Sequence, residues 1–515
     1  MEITQKKLSF DILTTTATDL CRLLEAGQTT TVDIVDAYLA QIERHNKTGL
    51  KLRAIISTAS REAVLSRAAK LDTERLNGKI RSALHGIPII IKDAIVTSKA
   101  LGMPTTAGAF AFKEAYGKRN APIVELLIQS GLVIIGKASM TEFCGLKATC
   151  ITAGWSAVNG QTQSAYIVGG FREDDLFCGR SGPGGSSSGS GVGVSAGFAP
   201  LSVGTETGGS ICMPANRAGL YSMTATLGTV PTDGLFTLSR SFDGLGGMTK
   251  SPEDLEMLMN ILLSTQARDE LPLKWEDISV GFVDPMVWNA FGFQKFRDEG
   301  VERQILDEYE WARTQIAQRG AKIAYPVKLP SMNDLRYEEK SVSHSVSFFE
   351  FPRQFEKFCV ELYDPEVSSV PELVEFNNKN AAHAMPEPHT DQTDLIQTLE
   401  STMTDETASA AKAHGKLLAG SQGIDAALTE NKIDVIIGPG DCEICAVAAL
   451  AGSPKAMVPM SRLKGSAGLG QPQGLMIIGG AGSESKMFQF MKLWKEVIGK
   501  WKVPPLLETA ERVIS

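Results

Sequence analysis

The chain is predicted to fold as an α/β protein built on one large sheet covered by helices on both faces. Short apolar runs, IPIIIKDAI at 87–95, LVIIGKA at 132–138, ISVGFVD at 278–284, AKIAYPV at 321–327, DVIIGP at 434–439 and GLMIIG at 474–479, read as strands. Stretches with apolar residues at helical spacing alternate with them, and that order implies a sheet wrapped by helices. No tandem repeat and no low-complexity linker divides the 515 residues, so a single domain over 1–515 is expected.

Taken in order, residues 16–47 read as two amphipathic helices. TATDLCRLLEAGQ stops at Gly27, and Thr30 or Thr31 can cap VDIVDAYLAQIERHN. A charged helix is expected over 60–79, followed by a turn and the strand that carries Lys92. NAPIVELLIQSG at 120–131 reads as a helix leading into the next strand. Residues 184–215, GGSSSGSGVGVSAGFAPLSVGTETGGSICMPA, supply a glycine-rich turn, an apolar element and a second turn. A helix over 299–319 precedes the strand at 321–327. Residues 330–400 stand apart: they are polar, contain prolines and carry the aromatic cluster SFFEFPRQFEKFC. They read either as a lid or substrate-shaping insertion or as surface packing.

Composition narrows the function classes. Hydrophobic residues make up 43% and charged residues 21%, enough apolar content for a sizeable core. The net charge is -8 with no block of lysine and arginine, which argues against nucleic acid as the main partner. MEITQKKLSFDIL has no apolar h-region, and no run of 18 apolar residues occurs. The expected setting is therefore cytoplasmic, with no membrane contact, as a monomer or homodimer. Eight cysteines are ordinary for such a protein. Cys442 and Cys445 form a lone CxxC, without the four ligands of structural zinc, and read as small buried thiols. No metal and no organic cofactor is implied.

The glycine-serine core admits several readings. GGSSSG contains G-x-S-x-G centred on Ser187, the pattern of a nucleophile elbow, which would need an acid and a histidine. None of the six histidines, His45, His85, His344, His383, His389 and His414, stands in such a context. A P-loop would end in GK[ST], which is missing, and GSGVGVSAG does not fit the dinucleotide fingerprint. Taken singly, Lys92 would be a snorkelling lysine, Ser186 a turn residue and Ser210 a helix cap. Together, two serines in glycine-rich turns and one buried lysine can make a hydrolase that needs no histidine.

With these motifs the chain resembles the amidase signature family, whose hallmark is a GGSS…GT-[DE]-x-GGS-I core downstream of a lysine-bearing strand. HGIPIIIKD, GKASMTEF, GWSAVNGQTQSAY, AALAGSPKAMVP and GLMIIGG resemble other segments of that family, so the likeness runs over about residues 15–500. It implies a mixed central sheet of about ten strands flanked by helices. It also implies Ser210 as nucleophile, Ser186 as a bridging serine after a cis peptide bond, and Lys92 as general base. Burial at the end of IPIII would lower the lysine pKa from about 10.4 and free it to take a proton. Backbone N–H groups of Thr207, Gly208, Gly209 and Ser210 would then receive the oxyanion. Cys144 is a candidate pocket residue.

Three departures stand out. Glu206 replaces a common aspartate and Cys212 an arginine, so an Asp–Arg buttress for the nucleophile turn cannot form. Ser188 replaces a glycine beside the bridging serine, and YSMTATLG stands where a GLKPT-like segment is common. The leading functional expectation is an amidase cleaving a carboxylic amide of a small molecule. The others are an acyltransferase using the same acyl-enzyme, the amidase component of a tRNA-dependent amidotransferase, and a non-catalytic binding protein on the same fold.

Overall fold

The apolar runs assemble into one mixed sheet. The computed structural model describes residues 9–149, 151–173, 175, 179–265, 273–288 and 298–512. Residues 1–8, read above as part of a leaderless start, lie outside them. Eleven strands among the described residues share the sheet. They are β1 (Ile55–Thr58), β2 (Pro88–Lys92), β3 (Val133–Ala138), β4 (Leu201–Glu206), β5 (Tyr221–Thr224), β6 (Gly244–Thr249), β7 (Ser279–Val283), β8 (Lys322–Val327), β9 (Val435–Pro439), β10 (Lys455–Arg462) and β11 (Pro472–Gly479). Their order is β1-β3-β2-β4-β6-β5-β10-β11-β9-β7-β8. β3, β2 and β4 run parallel, as do β9, β7 and β8, and the strands between are antiparallel. The expected α/β class and mixed sheet are observed.

All six anticipated strands form. β4 falls within the apolar element of 184–215, and the other four strands, the edge strand β1 among them, go unread for physical causes. β6, GLGGMT, is half glycine; a Cβ at Gly246 would overlap the Met223 carbonyl of β5, so the close approach requires glycine. β10 contains Pro459, and its register with β11 shifts between Pro459 and Ser461. β1 and β5 are only four residues each, too short to show a period.

Helices α1 (Ala17–Glu25) and α2 (Thr31–His45) begin where capping residues allow. Thr16 accepts the Asp19 N–H and Thr30 accepts the Asp33 N–H. α3 (Arg61–Leu76) and α4 (Pro122–Gln129) follow, then α5 (Ser188–Ser195) and α6 (Cys212–Arg217) around the glycine-serine core. α7 (Pro252–Leu262) and α8 (Glu299–Gln318) flank the sheet.

Residues 330–400 fold into a small hairpin and helices, chief among them α9 (Val342–Val360) and α10 (Val370–Lys379). The aromatic cluster on α9 is interior, not surface, packing. Phe358 meets Phe112 at 5.4 Å and Phe236 at 5.2 Å between centroids, both edge-on, and Phe355 meets Phe143. These contacts fix α9 against the loops that follow β2, β3 and β5. No helix among the described residues is long and apolar enough to cross a membrane.

Candidate active site

Lys92 ends β2 in the interior of the sheet, between β3 and β4. The run PIIIK is buried throughout, so the backbone delivers the ammonium into a sealed environment. Nζ donates to Ser186 Oγ at 2.7 Å, Thr205 Oγ1 at 2.8 Å and the Thr205 carbonyl at 3.1 Å. Burial pushes its pKa below the ordinary lysine value, while Cys144, Asp243 and Glu206 oppose that shift.

Ser186 follows a cis Gly185–Ser186 peptide bond. Its carbonyl accepts the Thr141 N–H at 3.0 Å, which ties the turn to the loop after β3. Ser210 lies in the turn between β4 and α6, and its carbonyl accepts the Ser187 N–H at 3.0 Å. The two glycine-rich turns are thus stitched together directly. Ser186, Ser210, Gly208, Gly209 and Cys144 line one pocket of about 130 Å³. Lys92 does not line that pocket itself; Ser186 and Cys144, which do, are its neighbours there.

The turn that carries Ser210 is held from beneath by Glu206. Its carboxylate accepts the N–H groups of Gly209 at 3.1 Å, Ile211 at 2.6 Å and Cys212 at 2.9 Å. Lys455 of β10 lies 3.3 Å from the same carboxylate. The missing Asp–Arg buttress is therefore replaced by a glutamate, three backbone amides and a lysine from another strand. The Gly209 N–H, expected among the oxyanion donors, donates to Glu206 in this structure. Beside this turn, Thr207 Oγ1 donates to Asp243 at 2.6 Å, and burial lifts the Asp243 carboxyl to about 6.

The competing motifs are placed elsewhere. Ser187 is fully buried and its hydroxyl donates to the Thr205 carbonyl at 3.0 Å, away from the pocket. A nucleophile elbow centred on Ser187 is therefore not formed. Ser188 opens α5 and its hydroxyl donates to the Gly184 carbonyl at 2.5 Å, bracing the turn before Ser186. YSMT of the third departure is β5. Cys442 and Cys445 are buried thiols whose pKa values burial raises, and Cys445 Sγ approaches the Gly208 carbonyl at 3.7 Å. Among the described residues no group of three or more His, Cys, Asp or Glu could hold a metal ion. Cys144 sits at a positive φ of 55° after Phe143 at 50°. That left-handed pair turns the loop after β3 so that Cys144 lines the same pocket as Ser186 and Ser210.

The amidase family model matches residues 33–488, which takes in all of these elements. The chain belongs to the amidase family. The native peptide amidase from Stenotrophomonas maltophilia superposes on this amidase chain with a TM-score of 0.80 and 27% identity, covering 96% of this chain and 98% of that one. A probable amidase from Arabidopsis thaliana is 25% identical over 93% of this chain and 89% of its own length. A glutamyl-tRNA(Gln) amidotransferase component from Chloroflexus aggregans is 33% identical, but over 60% of this chain and 59% of its own length.

Three polar partners escaped the reading of the sequence. Thr205 supplies two acceptors to Lys92, Lys455 completes the Glu206 cluster, and Asp243 holds Thr207. Lys455 carried a usable signal, a lysine inside the apolar segment AALAGSPKAMVP. Asp243 carried none, since DGLGG reads as an ordinary turn.

Proposed function

We propose that the chain hydrolyses the C–N bond of a carboxylic amide through an acyl-enzyme on Ser210. The observation that supports this most is the fully buried Lys92 Nζ at 2.7 Å from Ser186 Oγ, with Ser186 and Ser210 opening into one pocket. Full-length similarity to a peptide amidase is consistent with it.

A neutral Lys92 accepts the Ser186 hydroxyl proton across the 2.7 Å separation, and Ser186 Oγ accepts the proton of Ser210. Ser210 Oγ attacks the amide carbon, and the carbonyl oxygen becomes an oxyanion. Backbone N–H groups of Thr207, Gly208 and Ser210 are assigned to receive it, because Gly209 is engaged by Glu206. The protons return through Ser186 to the leaving nitrogen as the C–N bond breaks. Water, activated by the same relay, then attacks the acyl-enzyme and frees the acid. The helical segment within 330–400 acts as a wall over the site, since Ser343, His344, Ser347 and Phe348 of α9 line the space beside the pocket.

The test is a fluorophosphonate followed by peptide mapping. A single adduct on Ser210, absent in Ser210→Ala, is the expected result. An adduct on Ser187, or none on wild-type protein that turns over amides, overturns the assignment.

Ser187→Ala and Ser186→Ala separate the relay from the elbow. Ser187→Ala removes one hydrogen bond to a carbonyl that Lys92 still contacts, a cost of about 1 kcal/mol in stability with little effect on kcat. Ser186→Ala breaks the link between base and nucleophile and is expected to lower kcat by roughly 10²-fold or more. Steady-state kinetics of the two purified variants checks this.

A further inference from the structure

Beside the pocket that holds Ser186 and Ser210 lies a second chamber of about 370 Å³, within the roughly 300–1,000 Å³ of small-molecule sites. Cys144, Gly145 and Gly208 line both spaces, so the two adjoin at these residues. The chamber wall is mostly apolar, with Leu146, Phe242, Phe348 and Leu450 among its surfaces. Two carboxylates interrupt it, Asp394 and Glu443, and no lysine or arginine lines it.

Neither carboxylate has a cationic partner close at hand. Asp394 accepts the Thr149 hydroxyl at 2.9 Å, and no ion pair joins Asp394 or Glu443 to a lysine or arginine among the described residues. Burial raises the pKa of both carboxyls, the mark of carboxylates short of compensating charge. His344 does not supply it, because burial lowers its pKa and leaves the imidazole neutral near pH 7. A carboxylate set in an apolar wall favours a cation and repels an anion.

We propose, resting on the amidase reading above, that this chamber selects an amide whose larger portion is an apolar body carrying a cationic amine, received by Glu443 and Asp394. Because the two spaces adjoin at Cys144, Gly145 and Gly208, an amide carbon at Ser210 leaves the apolar body to fill the chamber. Substrates with a carboxylate at the same place are disfavoured by the two acids.

Matched ligands test the proposal without turnover. Calorimetry on Ser210→Ala would compare 3-[4-(aminomethyl)phenyl]propanamide with its neutral 4-ethyl and anionic 4-carboxy counterparts. The cation is expected to bind about tenfold or more tighter than the neutral ligand, and the anion weakest. Glu443→Gln in the same background should shrink the cation-to-neutral ratio, with Asp394→Asn adding to the loss. In wild-type protein the cationic ligand should slow fluorophosphonate labelling of Ser210, which guards against misfolding of the alanine variant. A ratio near one, a ratio untouched by both substitutions, or no binding of the cation overturns the proposal. The amidase reading stands or falls separately, on the Ser210 adduct and on turnover of the neutral amide.

Discussion

Replacing Lys92 with alanine or methionine is expected to lower kcat by roughly 10²–10⁴-fold, the usual range for a lost general base, with a much smaller change in KM. The side chain contacts Ser186 and Thr205 and does not line the substrate pocket, so its loss removes proton transfer more than binding. Lys92→Arg is expected to be as inactive. A guanidinium keeps its charge at any accessible pH and cannot accept a proton from Ser186. Steady-state rates and circular dichroism on the purified variants check both. A folded Lys92→Arg protein with near-wild-type kcat would remove Lys92 from the reaction.

The same burial sets two pH dependences. In the fold the Lys92 pKa is lowered by desolvation, while in the unfolded chain it keeps its ordinary value near 10.5. Between those two values the unfolded chain holds more protons, so stability rises with pH across that window. Below the lowered pKa both states are protonated, and the fold bears the cost of a sealed ammonium. Activity should climb as pH passes the lowered folded-state pKa, because only the neutral amine serves as base, and so should reach half its plateau below pH 10.5. Buried Lys137 and Lys250, each pushed down to about 8 by burial, add slopes of their own. The contribution of Lys92 is therefore the difference between wild type and Lys92→Met in urea denaturation at several pH values. A difference that is flat with pH would mean that the lysine titrates normally.

Much of this site was legible because its chemistry is written in long local motifs. PIIIK states both a buried strand and the odd lysine at its end. GGSSSG and GTETGGSI place two serines in turns that the structure joins by a Ser187–Ser210 backbone hydrogen bond. What could not be read depends on partners far apart in sequence. Lys455 reaches Glu206 from a strand about 250 residues away, because β10 and β4 belong to the same sheet. The direction of the Gly209 N–H, by contrast, is set locally, by the Glu206 side chain three residues earlier. α9 looked polar and separable because its buried phenylalanines alternate with charged residues; only the aromatic rings of the neighbouring loops show which face is covered.

Glu206 is where the largest loss of stability is expected. Glu206→Ala would leave three buried N–H groups and the Lys455 ammonium without their acceptor. Breaking a buried pair from one side costs about 3–5 kcal/mol, a large part of the roughly 5–15 kcal/mol that holds a domain together. Glu206→Gln keeps one oxygen acceptor but turns a donor toward amides that also donate, so an intermediate loss is expected. Glu206→Asp keeps the charge but is one methylene shorter and cannot span Gly209, Ile211 and Cys212 at once. It should fold, with Ser210 labelled by fluorophosphonate more slowly than in wild type, because the turn that aims the hydroxyl is loosened. Lys455→Met combined with Glu206→Gln should recover part of the stability, since the stranded ammonium is removed along with its partner. Urea midpoints and labelling rates across these variants separate the two roles. Equal labelling rates in wild type and Glu206→Asp would mean that the carboxylate only neutralises Lys455 and leaves the aim of Ser210 to the backbone.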